Sequence, residues 1–99
     1  MNKKIFYKDE SPYYPGKYLI RANLDFFKLK STQGSFAVIG ARLFGISYAD
    51  YLRMCRDHYG AEIIGKNSMY PVAYFKSTEK LNDLISELNV RANYILNGG

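Results

Sequence analysis

One cysteine, one histidine and no tryptophan occur in this 99-residue chain. A lone Cys55 cannot close an internal disulfide, which excludes a disulfide-stapled scaffold. Cys55 and His58 together fall short of the three or four ligands a zinc site requires, so neither a metal nor any other cofactor is expected. They stand three apart, close enough to meet on a helix. A Cys–His nucleophile would still need an orienting third group and an oxyanion site. No apolar run approaches the roughly 18 residues of a membrane span. The basic opening Met1-Asn2-Lys3-Lys4 leads into no apolar core, so it does not read as a signal peptide. A cytoplasmic setting is the default expectation. Glycines at phosphate-loop spacing are missing, since Gly34 and Gly40 are isolated. The acids show no hydrolase or nuclease spacing; only folding could gather Asp25, Asp57 and Glu62 around a metal. The chain is expected not to be an enzyme.

What is present is charge of one sign and an excess of tyrosine. Lys and Arg number 14 against 9 Asp and Glu, a net charge of +5. That balance pushes modestly towards a polyanionic partner. Ten tyrosines and six phenylalanines suit core edges, base stacking and protein interfaces alike. Apolar residues make up 47% of the chain, enough for one small core. The length fits a single domain over residues 1–99.

Taken in order, residues 1–16 end in Ser11-Pro12-Tyr13-Tyr14-Pro15-Gly16, a turn-rich stretch. Ile5 to Tyr7 could add a short strand, but the segment is expected to be loosely held. From 17 to 29, Tyr18, Ile20, Ala22, Leu24 and Phe26 alternate with a more polar set, which predicts a half-buried strand. Lys28 and Lys30 then lie on one side of a polar connection. Residues 47–59 predict a helix: Tyr48, Tyr51, Leu52, Cys55 and Tyr59 form one stripe, with Asp50, Arg53, Arg56 and Asp57 opposite. Asp50 with Arg53, and Arg53 with Asp57, have pairing distance. Strands are predicted over 61–65 and 70–76, joined by a turn carrying Lys66. Pro71, lacking an N–H, belongs at a sheet edge or boundary. Residues 77–97 predict a long helix with Leu81, Leu84, Ile85, Leu88, Ala92, Ile95 and Leu96 on its buried face.

Residues 36–44 admit two readings. Phe36-Ala37-Val38-Ile39 is as good a buried strand as it is a helix, because short apolar runs cannot be typed by periodicity. With a strand near 36–40, the fold is α+β, a small antiparallel sheet of about four strands with helices near 47–59 and 77–97. With a helix there, Gly45 stops it, Ser47 caps the next one, and two short helices meet at a tight turn. Ala41, Gly45, Ile46 and Ser47 then resemble the helix-turn-helix of DNA-binding regulators, over about a fifth of the chain. Two positions depart from that family's pattern: Gly40 replaces a buried aliphatic residue, and Tyr51 replaces a smaller one. The resemblance implies a winged-helix-like fold whose second helix enters the major groove.

Together these features predict a small non-enzymatic nucleic-acid-binding protein, of the regulator kind found in bacteria and phages, with duplex DNA as the favoured target. Lys28, Lys30, Arg42 and Lys66 would hold phosphates, and Tyr48, Arg53 and Arg56 would approach bases or backbone. The alternative is an adaptor or inhibitor that binds a nucleic-acid-processing protein, for which tyrosines at an interface are the motive. A homodimer is expected if the apolar stripe of the last helix exceeds what the sheet covers.

Overall fold

The computed structural model describes residues 4–23, 36–65 and 71–96. Its elements run β1 (Phe6–Glu10), β2 (Tyr18–Ala22), α1 (Phe36–Phe44), α2 (Tyr48–Tyr59), β3 (Glu62–Ile64), β4 (Val72–Tyr74) and α3 (Thr78–Leu96). This is a small α+β fold. Of the two readings open for residues 36–44, the helix is the one found. One difference from the sequence expectations stands out: the described strands form two antiparallel pairs, β1–β2 and β3–β4, rather than one sheet. The pairs touch at one bridge, where Tyr18 and Phe75 exchange backbone hydrogen bonds of 2.8 Å. Phe36-Ala37-Val38-Ile39 continues into Gly-Ala-Arg-Leu-Phe, and the whole nine-residue run is capped as a helix. Gly45 takes a φ of 68° and donates to the Arg42 carbonyl at 3.1 Å, while Ile46 N–H reaches the Ala41 carbonyl at 3.0 Å. Those two bonds satisfy carbonyls that the helix end would leave bare. Two residues later the Ser47 hydroxyl accepts the Asp50 N–H at 3.1 Å and opens α2. Gly60 closes α2 in the left-handed conformation, its N–H on the Cys55 carbonyl.

The opening segment is tighter than its composition suggests. Ile5 and Phe6 are fully buried. The amide of Asn89 on α3 holds them: its Oδ1 accepts the N–H of Ile5 at 3.0 Å and of Phe6 at 2.7 Å, and its Nδ2 donates to the Phe6 carbonyl at 3.0 Å. A side chain thus replaces a neighbouring strand for one residue of β1, and two apolar side chains drop into the core beneath it. The loop 11–17 is ordered by Ser11, whose hydroxyl accepts the N–H of Tyr13 at 3.3 Å and of Tyr14 at 3.2 Å.

The core gathers Phe6, Tyr51, Cys55, Phe75, Leu81, Leu84 and Leu88. Most of the predicted α3 stripe is there, but Ile95 is exposed because the helix outlasts the core under its last turn. Arg91 joins α3 to the end of α1. Its guanidinium lies 4.2 Å from the Phe44 ring centre, donates to the Leu43 carbonyl at 3.4 Å and pairs with Glu87 at 2.8 Å.

The crossing of α1 and α2 turns on Gly40 and Tyr51. A Cβ at Gly40 would sit 2.9 Å from the Tyr51 ring, and Tyr51 is 3% exposed. Gly40 and Tyr51 therefore compensate one another: the absence of a side chain on α1 makes space for a ring from α2. Gly40→Ala sets an overpacking cost of about 1–3 kcal/mol against a helix gain of about 1 kcal/mol. It is expected to lower the urea midpoint of the natural chain and to raise it in a Tyr51→Leu background. Equal effects in both backgrounds would contradict the contact.

Candidate functional site

The face of α2 turned away from Tyr51 and Cys55 carries an open groove. Ala49, Arg53 and Arg56 stand along this groove of about 320 Å³, whose floor is Leu52, Ile63 and Pro71. The floor exists because α2 runs directly into β3 through Gly60, so the hairpin folds back beside the helix that precedes it. Sequence patterning did not identify Ile63 and Pro71 as site residues; the turn at Gly60 was the only signal pointing to them. Pro71 lies next to β4 and lends its carbonyl to the Tyr48 hydroxyl, which donates to it. That bond pins the start of α2 to the hairpin.

The predicted site residues divide accordingly. Arg53 and Arg56 share the groove. Tyr48 stands at its edge, half-buried and committed to Pro71, with burial the main cause that raises its hydroxyl pKa. A tyrosine held this way is a strut of the groove rather than a group free to reach bases. Arg42 is exposed in the last turn of α1. Lys28, Lys30 and Lys66 lie outside the described residues.

Both groove arginines are tethered to acids on their own helix. Arg53 pairs with Asp50, and Arg56 donates from Nε to Asp57 at 2.9 Å. The expected Arg53–Asp57 pair is replaced by the latter. The Arg56 hydrogen bond holds the Asp57 carboxyl below its usual value, and Asp57 in turn raises the guanidinium pKa. These pairs are open to water, where ion pairs are weak and readily exchanged. They orient the guanidinium groups without consuming them. A groove with an apolar floor and two guanidinium groups at its rim suits a ligand that carries anionic oxygens on a planar or apolar body.

No group of three or more His, Cys, Asp or Glu lies together among the described residues. Glu62 is engaged by Lys17 at 2.7 Å, which lowers its pKa. Cys55 is buried against Tyr51 while His58 faces solvent, so the two sit on different sides of α2. No helix among the described residues is long and apolar enough to cross a membrane. No protein-family model matches the sequence, and comparison with curated proteins and with solved structures finds no match.

Burial pushes the Cys55 thiol up to about 12, so the reactive thiolate is scarce at mildly alkaline pH. A thiol reagent is expected to leave the native protein unlabelled and to modify one thiol per chain in denaturant. Fast labelling of the native chain would mean that Cys55 is accessible and activated.

Proposed function

We propose that the chain binds nucleic acid through the outer face of α2 and the β3–β4 hairpin, with duplex DNA as the favoured target. The observation that carries this proposal is the pair Arg53 and Arg56 on one open groove, on a helix whose inner face is locked against α1. Two helices joined by Gly45 and Ser47 and followed by a hairpin resemble the order of a winged helix. In that arrangement α2 lies in a groove of the duplex and the hairpin runs along its backbone. Guanidinium groups exchange their exposed aspartate partners for phosphate oxygens, which costs little because both are exposed ion pairs. Asp50 and Asp57 keep the helix surface close to neutral, so the attraction is local to the groove.

A second reading has its own observation. Val90, Tyr94 and Ile95 are 61%, 68% and 53% exposed on the last turns of α3, and Tyr13 is 82% exposed on its hydrogen-bonded loop. Bare aromatic and aliphatic side chains of this kind fit a protein partner, with the chain acting as an adaptor or inhibitor.

The two readings separate by anisotropy of a labelled duplex at several salt concentrations. Binding is expected to weaken with salt, and Arg53→Ala with Arg56→Ala together should reduce the slope of log K against log salt by about 2. The double variant should still unfold within about two degrees of the natural chain, since both side chains are exposed. Unchanged binding in that variant, or no binding at low salt, would overturn the proposal. The same titration with Tyr94→Ser is expected to change nothing.

A further inference from the structure

The outer edge of β1 carries a charge pattern that selects one partner. Hydrogen bonds at both ends of the β1–β2 ladder set its phase: Asn23 N–H reaches the Ile5 carbonyl and Ser11 N–H reaches the Lys17 carbonyl, each at 2.9 Å. Between those ends, Tyr7 pairs with Arg21 and Asp9 with Leu19. Strand alternation therefore turns the backbone groups of Phe6, Lys8 and Glu10 away from β2. Asn89 occupies those of Phe6, as its three hydrogen bonds to Ile5 and Phe6 show. The outward N–H and C=O groups of Lys8 and Glu10 take no backbone partner among the described residues, and their side chains are exposed.

An unpaired edge is a template for another strand, and natural edges are blunted by charge. A lysine two residues before a glutamate blunts this one selectively. In an antiparallel pair of two β1 edges, pairing Lys8 with Lys8 or Glu10 with Glu10 sets like charges opposite each other, which is destabilising. The remaining register sets Lys8 against Glu10 twice over. It also makes both of them hydrogen-bonded pairs, because both residues point outward. At its centre Asp9 opposes Asp9 on the other face of the sheet, and each is already neutralised by Arg21 Nε at 2.5 Å. Lys8 also stays near Tyr18, with its ammonium 5.9 Å from the ring centre, so its position is partly set beforehand.

We propose that β1 pairs antiparallel with β1 of a second copy of this chain, with Lys8 of each opposite Glu10 of the other. The contact is small and two-fold symmetric, and it belongs to a weak dimer. It does not depend on nucleic-acid binding, since Lys8 and Glu10 are not among the groove residues.

Sedimentation equilibrium from micromolar to millimolar chain tests the proposal. The natural chain is expected to show a dimer that grows with concentration. Lys8→Glu alone and Glu10→Lys alone should each weaken association by about tenfold or more. An equimolar mixture of those two variants should associate, because positions 8 and 10 then face each other with opposite sign in both pairs. The doubly reversed chain, Lys8→Glu with Glu10→Lys, should recover the natural behaviour. A chain that stays monomeric at millimolar concentration overturns the proposal. So does association that ignores both reversals, or single variants whose mixture fails to recover it. A dimer lost in Val90→Asp and untouched by Lys8→Glu would place the contact on α3 and overturn it as well.

Discussion

The packing of Tyr51 against Gly40 is the constraint on which the rest depends. A buried ring next to a residue without a side chain brings α1 and α2 together at one relative position. Cys55 and Leu52 follow Tyr51 into the interior by helical spacing, and that phase decides which residues of α2 face out. Arg53 and Arg56 are external because Tyr51 is internal. The hairpin then follows from Gly60, and the Tyr48 bond to Pro71 fixes it beside the helix. A chain of local commitments, each chemically ordinary, thus ends in a groove whose rim is basic and whose floor is apolar.

Charge is distributed less simply than the net value of +5 suggests. Arg21, Arg53, Arg56 and Arg91 all have acidic partners, and Lys17 is held by Glu62. None of these pairs is buried deeply enough to add much stability. Their effect is orientation: side chains with many rotamers are kept near one geometry. On α2 this keeps two guanidinium groups along one groove, while on α3 Arg91 ties the helix to the end of α1. A uniform basic stripe would attract any polyanion at long range. Paired arginines favour a ligand that displaces carboxylates at close quarters.

The elements with strong periodicity were legible before folding. The apolar positions of α2 and most of those of α3 are where their spacing put them, and Ser47 and Gly60 cap as their chemistry suggests. The helical state of 36–44 was not decided by the sequence, because its first four residues carry no period; the cap at Gly45 and Ile46 settles it. The hold on residues 5 and 6 was also hidden. It comes from Asn89, a polar residue flanking the α3 stripe, and a contact 83 residues away leaves no local signal. For the site, Arg53 and Arg56 could be named from helical phase alone. Tyr48 could not be told apart from them, since its commitment to Pro71 depends on the tertiary path of the hairpin.

The most direct measurement is an amide-resonance titration of the folded chain with a short duplex at low salt. If the outer face of α2 is the binding surface, the shifts concentrate at Ala49, Arg53, Arg56, Ile63 and the start of β4, and they fade together as salt rises. Shifts confined to Val90, Tyr94 and Ile95, or an unchanged spectrum at saturating duplex, would contradict it.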